Sequence, residues 1–482
     1  MFHISFDFSG MDVLQILDLI DRLLTIAIGA LLAYKTLFIF IGFSNPILYP
    51  PTVIKKKYGI MISARNEAAV IGHLIESIKK QNYPQELLTI FVIADNCQDN
   101  TADIARNLGA VVYERNSKTE IGKGFALSFL MDCIKRDYGI LSFDGFFVFD
   151  ADNLLDSEYI DKMNDAFNSG KDIITSYRNT KNFDTNFISA SYGYHQYRNI
   201  RFNHIPRSKL NLSCNVTGTG FLVKSSILKD GWKWKLITED IEFTIDSVLE
   251  GYQVGYCHEA IFYDEQPRTF KMMFRQRVRW SKGFLMVFAS RGWRLLKSLF
   301  RKSSYGERTK SSQSAFQHSF TRYDLLMYIF PSSLVLFVWG LIYNGLYIGI
   351  GLHQGILPDN YWQNLLVKNI FSIIQLYAIC LIQVIPVVFL EWKRMLAPWY
   401  RKVLFLFTFP FFDFLNLPIT VVALFKKPQW KPIIHDDLRS INNVNSFFAK
   451  KQRGEDICPN TSLTKNKMAT TIIKGADIKK DL

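Results

Sequence analysis

The stretch FFVFDADN, residues 146–153, is an apolar run that ends in two carboxylates one residue apart. Aromatic and β-branched residues after Gly145 are typical of a buried strand, so Asp150 and Asp152 would emerge at its carboxyl end. Open α/β sheets bind their ligands at this edge. Two carboxylates with one spacer can hold a hard divalent cation, usually Mg²⁺ or Mn²⁺, that is shared with the phosphates of a substrate. For the Asp-x-Asp sequence alone, a solvated turn is the alternative.

Short apolar segments alternate with helix-length segments around this stretch, which predicts a mostly parallel sheet covered by helices. The predicted strands are residues 58–63, 88–94, 110–113, 145–149 and 172–176, and the predicted helices are residues 68–80, 101–107, 123–137 and 156–168. Glu67 and Asp95 lie in polar clusters after the first two strands, and Lys123 lies in a Gly-Lys-Gly sequence before the third helix. Neither a Gly-x-Gly-x-x-Gly sequence after the first strand nor a Walker A sequence is present, so a nucleotide would be held in another way.

The composition indicates that part of the chain lies in lipid, because aromatic residues make up 15% of its 482 residues. Length alone allows about two to four folding units. The formal net charge of +14 fits nucleic acid, anionic lipid or a phosphorylated substrate as partner, and the distribution of basic residues has to distinguish them. The six cysteines are widely spaced without a Cys-x-x-Cys, which argues against a zinc site and a disulfide framework.

The first candidate membrane span is residues 23–43, an apolar segment with Lys35 as its only charge. The preceding residues 1–22 are acidic, unlike the positive start of a signal peptide, so we expect a retained anchor with an extracytoplasmic N-terminus. Three lysines at residues 55–57 then place residues 58–268 on the cytoplasmic side by the positive-inside rule.

Three later segments complete the predicted membrane architecture. Residues 325–350 and 370–390 are uncharged and long enough to span a bilayer. Residues 403–425 form a third candidate, which two prolines and an aspartate interrupt. A full crossing there would put the basic residues that follow outside, against the positive-inside rule. The segment is therefore either transmembrane or re-entrant. Residues 446–482 are polar, Lys-rich and poor in aromatics, which predicts a disordered tail.

The segment 269–302 contains ten basic residues and no acidic one, interleaved with apolar side chains. A basic amphipathic helix before a membrane span is typical of the cytoplasmic membrane surface, which favours lipid over nucleic acid as partner. Within it, Gln276, Arg279 and Trp280 share one helix face at i, i+3 and i+4. A packed indole with a bridging arginine is the structural alternative for this trio.

Two polar motifs precede that segment. Residues 215–220, Asn-Val-Thr-Gly-Thr-Gly, form a small-residue loop before an apolar strand, for which an ordinary glycine turn is the alternative. Glu239 and Asp240 begin an amphipathic run, and Thr238 before them would be a good N-cap. A purely structural helix cap is therefore the alternative to a functional acidic pair.

Four motifs, followed in the chain by membrane spans, resemble those of the family 2 glycosyltransferases: Asp95, Asp150-Ala151-Asp152, Thr238-Glu239-Asp240 and Gln276-Arg277-Val278-Arg279-Trp280. More narrowly, the chain resembles the processive synthases of cellulose, mixed-linkage glucan, chitin, hyaluronan and poly-N-acetylglucosamine. The resemblance implies an α/β fold of the GT-A type combined with transmembrane and interfacial helices. It also implies a cytosolic catalytic domain at the cell membrane and a nucleotide-activated sugar as donor.

The resemblance implies a role for each motif residue. The nucleotide or donor would be contacted by Glu67, Asp95, Lys123, Asp150, Asp152, Gln276 and Arg279, with Asp150 and Asp152 holding Mg²⁺ or Mn²⁺ at the diphosphate. Asp240 would be the catalytic base with Glu239 beside it, and Trp280, Gly218 and Thr219 would contact the acceptor. Glycosyl transfer needs cationic groups, because negative charge develops on the departing UDP. It also needs a base, because the sugar hydroxyl has to lose its proton as it attacks C1. In-line attack would give a β-linkage from an α-linked donor.

The expected function is therefore processive polymerisation of a β-glucan from UDP-glucose, with translocation across the membrane. UDP-sugar, the growing polysaccharide and membrane lipid are the expected partners, and nucleic acid is not. The alternatives are UDP-N-acetylglucosamine as donor, single-sugar transfer to a polyprenyl lipid carrier, and a non-enzymatic scaffold, which would be expected to lack an acidic group.

Three details of the sequence refine the resemblance. Thr-Glu-Asp in place of the Gly-Asp-Asp of some hyaluronan synthases disfavours that product. The Arg-x-x-x-Arg sequence of cyclic-di-GMP-binding cellulose synthases does not follow the last span, so regulation by that nucleotide is not implied. Residues 430–435, WKPIIH, resemble the gating or pore-flanking segments of some relatives, with a structural Trp430 as the alternative.

Overall fold

The computed structural model describes residues 12–300, 313–427 and 435–452. Its helices are α1 (Val13–Leu32), α2 (Tyr34–Gly42), α3 (Ile71–Lys79), α4 (Thr101–Asn107), α5 (Lys123–Asp137), α6 (Tyr159–Asn168), α7 (Phe187–Asn199), α8 (Ile205–Lys209), α9 (Glu239–Leu249), α10 (Phe270–Phe300), α11 (Ala315–Ile329), α12 (Ser332–Gln354), α13 (Tyr361–Glu391), α14 (Trp399–Phe414), α15 (Asn416–Phe425) and α16 (Ile441–Gln452). Its strands are β1 (Tyr58–Ala64), β2 (Leu88–Asp95), β3 (Val111–Arg115), β4 (Gly145–Asp150), β5 (Leu154–Leu155), β6 (Ile173–Thr180), β7 (Phe221–Lys224) and β8 (Val254–Asp264).

The strands of the described residues form one mixed sheet in the order β3-β2-β1-β4-β7-β6-β8-β5. β1 to β4 are parallel to one another, β6 is parallel to β8, and β7 is antiparallel to both β4 and β6. The prediction of a mostly parallel sheet with helices is confirmed, and each predicted strand and helix of the domain occurs with ends shifted by a few residues. The short β5 and the long β8 were not predicted.

The central strand β4 shows why the fold forms around this stretch. Phe146 and Val148 point into the hydrophobic core on one face of the sheet, whereas Phe147 and Phe149 point into the core on the other face. All four side chains are fully buried. A strand that is covered on both faces has to be apolar at every position, and the first polar residues therefore fall where the strand leaves the sheet.

Four helical segments in the described ranges are long and apolar enough to cross a membrane, namely Val13–Gly42, Ser332–Gln354, Tyr361–Arg394 and Trp399–Phe425. The first begins at Val13, ten residues before the start of the predicted span 23–43. Residues 1–11 lie outside the described part, and the extracytoplasmic side expected for the N-terminus stays a prediction. The predicted span 325–350 is also corrected. Residues 325–329 belong to α11, because Pro331 interrupts the helical hydrogen bonding and a separate helix starts at Ser332.

Buried ion pairs attach the apolar helices to the sheet domain. Glu391, at the end of α13, accepts hydrogen bonds from Arg201 Nε at 2.5 Å and from the Tyr177 hydroxyl at 2.7 Å. Asp324 of α11 accepts from Lys35 Nζ at 2.7 Å and from Arg207 Nε at 2.6 Å. Because a buried charge is costly unless it is paired, these contacts fix the domain-facing ends of α2 and α13.

The predicted transmembrane or re-entrant segment 403–425 consists of α14 and α15, which lie against helices of the catalytic domain. Arg277 of α10 donates to Phe412 O at 2.8 Å, and its guanidinium lies 3.9 Å from the Phe412 ring centroid. Arg198 of α7 forms an ion pair with Asp413. Further along, Lys282 Nζ donates to Leu424 O at 3.3 Å. The two helices therefore pack against α7 and α10.

The predicted disordered tail begins as a helix. Residues 446–452 are the second half of α16, which corrects that part of the prediction, and residues 453–482 lie outside the described part. The predicted amphipathic segment 269–302 is the single long helix α10 as far as Phe300.

Candidate active site

The carboxyl ends of β1, β2 and β4 meet at one edge of the sheet, where Asp95 ends β2 and Asp150 ends β4. A cavity of about 960 Å³ opens at this edge. Its wall contains every predicted site residue except Thr219: Glu67, Asp95, Lys123, Asp150, Asp152, Gly218, Glu239, Asp240, Gln276, Arg279 and Trp280. The fold therefore brings motifs that are far apart in the sequence together in the wall of one cavity.

Thr219 is placed behind the cavity wall and not in it. Its hydroxyl accepts from the Asp150 backbone N–H at 2.9 Å and contacts Asn153 Oδ1 at 2.5 Å, and the residue is buried. Thr219 therefore joins the loop before β7 to the end of β4. Thr219 was predicted to contact the acceptor. Its side chain instead turns away from the cavity and accepts the backbone N–H of Asp150 in β4.

Lys123, in the first turn of α5, links the acidic pair to the 215–220 loop. Its ammonium forms an ion pair with Asp150 and donates to Gly218 O at 2.7 Å. The loop in turn faces the second acidic pair, since a Cβ on Gly218 would lie 3.7 Å from Asp240 Oδ2. Lys123 is therefore a positive charge placed between the two acidic motifs.

Asp152 is buried and held by backbone and cationic groups. The Glu265 backbone N–H donates to Asp152 Oδ2 at 2.9 Å, and Lys181 Nζ donates to Asp152 O at 3.3 Å. Burial raises the pKa of Asp152, but the nearby His435 and Lys181 outweigh it and hold that pKa below its ordinary value. The carboxylate is therefore ionised and ready to accept a cation.

Glu239 and Asp240 open α9 and both line the cavity. Burial and the neighbouring Asp240 raise the pKa of Glu239 to about 8. Burial also raises the pKa of Asp240 above its ordinary value. Two adjacent buried carboxylates disfavour ionisation of both at once, and such pairs are typical of acid–base sites.

The structural alternative for this pair was a helix cap by Thr238, but Thr238 makes no side-chain capping bond to α9 in the described part of the chain. Thr238 instead packs against α10, where a Cβ on Gly283 would lie 2.4 Å from Thr238 Cγ2. This close approach brings the acidic pair of α9 next to the face of α10 defined by Gln276, Arg279 and Trp280.

Gln276, Arg279 and Trp280 share one face of α10, as predicted, and all three line the cavity. Gln276 Oε1 accepts from the Tyr192 hydroxyl at 2.7 Å, and the rings of Trp280 and Tyr192 are 5.9 Å apart in an edge-to-face contact. Burial lowers the pKa of Arg279, and the carboxylates Glu239, Asp150 and Asp240 oppose this effect. Arg277 also borders the cavity, and its guanidinium donates to Phe412 O of α14. The indole is therefore both packed and accessible, which combines the two interpretations of Trp280.

Asp95 lines the cavity at the end of β2 and is paired with Arg115, whose Nη1 donates to Asp95 Oδ1 at 2.8 Å. Burial raises the pKa of Asp95, although Arg115 opposes the shift. Both side chains are buried, so the second carboxylate oxygen has a fixed orientation.

Sequence reasoning missed several contributors to the cavity wall, including His435 and a polar group on α7. His435 comes from beyond α15 and hydrogen-bonds Glu67, and its only sequence signal was the weak resemblance of residues 430–435 to gating segments. The second is a polar stripe on α7 and the turn after it. The stripe consists of Tyr192, His195, Gln196, Asn199 and Asn203. Their spacing of three or four residues was present in the sequence but carried no recognisable motif.

A mixed sheet with paired carboxylates at its ligand-binding edge, a second acidic pair and the α10 trio in one cavity are features of a GT-A-type glycosyltransferase domain. Four helical segments of the described residues are long and apolar enough to cross a membrane. The family described as glycosyltransferase like family 2 matches residues 56–283. Residues 56–283 therefore correspond to a family 2 glycosyltransferase domain.

The chain is also similar to individual proteins. It is 25% identical over 242 residues to a poly-β-1,6-N-acetyl-D-glucosamine synthase of Staphylococcus epidermidis, covering 49% of this chain and 57% of that one. It is 26% identical over 236 residues to a β-monoglucosyldiacylglycerol synthase of Trichormus variabilis, covering 46% of this chain and 48% of that one. The match thus spans about half the length of these curated relatives.

Among solved structures, the mannosyltransferase PcManGT from Pyrobaculum calidifontis, in complex with GDP-Man and Mn²⁺, superposes with a TM-score of 0.54 at 13% identity. The match covers 85% of this chain and 99% of that chain. This likeness shows the fold.

Proposed function

We propose that this chain is an inverting glycosyltransferase that polymerises a β-linked polysaccharide from a UDP-sugar, with UDP-glucose as the expected donor. The observation that carries the proposal is the single cavity that joins Asp150 and Asp152 to Asp240 and to Trp280. A donor diphosphate, a base and a flat apolar platform are the three parts that glycosyl transfer to a sugar hydroxyl needs.

In this mechanism Asp240 accepts the proton of the acceptor hydroxyl. The hydroxyl oxygen forms a bond to C1 of the donor sugar as the bond between C1 and the diphosphate oxygen breaks, so the anomeric configuration inverts and UDP leaves. The raised pKa of Asp240 makes it a stronger base than an ordinary aspartate, and Glu239, with a pKa of about 8, holds its own proton at neutral pH.

Charge on the leaving UDP is met by cationic groups of the chain. Arg279 faces the acidic residues across the cavity, and its planar guanidinium suits a diphosphate. Lys123 can exchange its contact with Asp150 for a phosphate oxygen. Both groups act electrostatically on the departing diphosphate.

Asp150 and Asp152 are the residues that would hold Mg²⁺ or Mn²⁺. The described residues contain no group of three or more His, Cys, Asp or Glu side chains arranged for a metal ion. Two carboxylates nevertheless fit such a cation, because Mg²⁺ usually takes one or two carboxylates and completes its shell with water and substrate phosphates. When bound, the ion would supply further positive charge for the leaving group. The Mn²⁺ in the complex of PcManGT supports this assignment.

The polar stripe on α7 supports a glycan as acceptor. Its side chains are amides, a tyrosine and His195, whose pKa is lowered to about 4 by burial and by Arg198, so the stripe is uncharged at neutral pH. Neutral hydrogen-bonding groups suit sugar hydroxyls. The stripe leads towards α2, where Arg201 Nη1 donates to Gly42 O at 3.4 Å. A growing chain could therefore extend from Trp280 towards the apolar helices.

A lipid acceptor is the second candidate, and a specific feature of the cavity favours it. Part of the wall is apolar and comes from α10 and the link between α11 and α12, including Phe284, Leu285, Met286 and Phe330. This part could accept a lipid tail, and the similarity to a monoglucosyldiacylglycerol synthase points in the same direction.

Product size separates the two candidates. Membranes containing the chain would be incubated with radiolabelled UDP-glucose or UDP-N-acetylglucosamine, the second donor supported by the poly-N-acetylglucosamine synthase relative. A ladder or high polymer that linkage-specific β-glycosidases digest is the expected result. A single labelled product that extracts into organic solvent would establish lipid transfer instead, and label from UDP-N-acetylglucosamine alone would overturn UDP-glucose.

We also propose that the catalytic domain lies on the cytosolic side of a cell membrane and that α14 and α15 do not cross it. The contacts of α14 and α15 with α7 and α10 support this arrangement, as does the return of residues 435–440 to the catalytic cavity. It removes the conflict between a third full crossing and the positive-inside rule.

A further inference from the structure

Arg207, in the short helix α8, is fully buried where the sheet domain meets α2 and α11. Its guanidinium contacts two partners at once. Nε donates to Asp324 Oδ2 at 2.6 Å, and Nη1 donates to Asn215 Oδ1 at 2.5 Å. Asp324 belongs to α11, and Asn215 is the first residue of the 215–220 loop. The planar fork of one arginine therefore joins α11 to this loop.

Asp324 is held from its other side by α2. Lys35 Nζ donates to Asp324 Oδ1 at 2.7 Å, and the Tyr34 hydroxyl donates to the same oxygen at 2.6 Å. α2 belongs to the first apolar segment, Val13–Gly42. Because both oxygens of this buried carboxylate are engaged, Asp324 keeps one orientation and fixes the guanidinium of Arg207.

The 215–220 loop contains two residues with the backbone freedom of glycine. Gly218 and Gly220 have φ angles of +85° and +66°, in the left-handed region that favours glycine. The loop also lies opposite the proposed base, since a Cβ on Gly218 would lie 3.7 Å from Asp240 Oδ2. A displacement of the loop would therefore alter the space in which an acceptor hydroxyl meets Asp240.

The side chain of Asn215 depends chiefly on Arg207 for its position. Its Nδ2 lies 3.4 Å from the Tyr328 hydroxyl and 3.5 Å from Val216 O, which is the outer limit of a hydrogen bond. The bond from Arg207 is shorter and is made by a charged donor, which makes it the stronger contact. Arg207 therefore sets the place where the loop begins.

We propose that Arg207 is a positioning residue for glycosyl transfer, which holds the 215–220 loop opposite Asp240 through Asn215 and ties that loop to α2 through Asp324. The inference rests on the proposed role of Asp240 as base. It gives the polar contacts of α2 a part in the geometry of the active site as well as in anchoring the chain.

Arg207→Lys separates positioning from a purely structural ion pair. Lysine keeps the charge opposite Asp324, but its single ammonium cannot replace two donors on a planar fork. In the full chain in nanodiscs, we expect a thermal unfolding midpoint and a UDP affinity close to those of the wild type. We expect kcat to fall roughly 10- to 100-fold, because a small misplacement near the reacting groups slows the chemical step. The rate is measured as UDP released from UDP-glucose or UDP-N-acetylglucosamine.

Asn215→Ala removes the other partner of the same contact and leaves the Arg207–Asp324 ion pair in place. It should reproduce the loss of kcat, and the double variant should be no slower than either single variant, because both act through one contact. Arg201→Lys is the matched control. Arg201 is also a buried arginine at the apolar helices, but its side chain donates to Glu391 and to Gly42 O. This variant should keep the wild-type rate.

A wild-type kcat in Arg207→Lys, or in Asn215→Ala if the arginine variant does not fold, would overturn the proposal. Losses that multiply in the double variant would overturn it as well. A loss of kcat that is matched by losses of UDP affinity and thermal stability would do the same, because Arg207 would then be structural alone. Failure of the proposed function gives a different result. Near-normal activity of Asp240→Asn would refute the base, while a slow Arg207→Lys would still show that the loop controls the rate.

Discussion

The hydroxyl of Tyr192 donates a hydrogen bond to Gln276 Oε1 at 2.7 Å, and this contact joins α7 to α10 beside Trp280. The indole meets the Tyr192 ring edge-to-face and still lines the cavity. A flat aromatic face held in this way can stack against a pyranose ring and keep the terminal sugar of a glycan in register.

Trp280→Ala is therefore expected to suppress polymer formation while UDP binding survives. Arg279→Ala should impair both, because its guanidinium faces the proposed diphosphate site. Product gels and UDP titrations measure the two effects. Trp293, on the same helix but 63% exposed, provides the control, and Trp293→Ala should behave like wild type. Full-length polymer at the normal rate from Trp280→Ala would leave the indole with a packing role.

Asp240→Asn should lower kcat by roughly 100- to 10,000-fold with donor affinity nearly unchanged, because the carboxylate acts on the acceptor hydroxyl. Single-turnover assays and UDP titration provide the two measurements. Asp246→Asn is the control on α9, since Asp246 pairs with Arg291 and Arg294 outside the cavity. Activity of Asp240→Asn within a few-fold of wild type would make the pair a structural feature of α9.

The acidic limb of the activity profile should report the raised pKa of Asp240. A base with a raised pKa takes up its proton at a higher pH than usual, so kcat/KM should fall as the pH drops through a midpoint above the ordinary aspartate value of about 3.9. Initial rates at fixed ionic strength over the acidic range measure this midpoint. A midpoint at or below the ordinary value would contradict the assignment of Asp240 as base.

Asp152→Ala should weaken UDP binding only when Mg²⁺ or Mn²⁺ is present, because the carboxylate is proposed to share the ion with the diphosphate. Calorimetry with and without EDTA provides the comparison. Asp152→Asn keeps an oxygen acceptor for the Glu265 backbone N–H and so separates loss of charge from loss of folding. Equal UDP affinity of the wild-type protein in EDTA and in metal would remove the ion from the mechanism.

The membrane arrangement predicts the sides on which two engineered cysteines lie. Asp359→Cys, between α12 and α13, should react with an impermeant maleimide on intact cells, and Asn442→Cys, in α16, should react only after permeabilisation. The reason is that α14 and α15 stay beside the catalytic domain. Labelling of Asn442→Cys on intact cells would mean that these helices cross the bilayer.

The amino-acid sequence by itself determined the domain and most of its motifs. An uninterrupted apolar strand such as β4 and the alternation around it are local patterns, and Asp150, Asp240 and Trp280 were found because each lies in a short motif of fixed spacing. Membrane-spanning lengths followed from composition, although Pro331 moved the start of α12 and the first helix began at Val13, because helix ends depend on local breaks that hydropathy does not show.

Only the tertiary structure decided which side chains share the cavity. His435 reaches Glu67 across 368 residues, and no local pattern encodes a contact over that separation. Thr219 is the opposite example, because a short motif predicted a contact that the structure does not show. Its hydroxyl accepts a hydrogen bond from the backbone N–H of Asp150 and does not line the cavity. The packing of α14 and α15 was also decided by the tertiary structure. By length alone this apolar segment would be predicted to cross a membrane. The buried Arg277 and the Arg198–Asp413 pair hold it against α10 and α7.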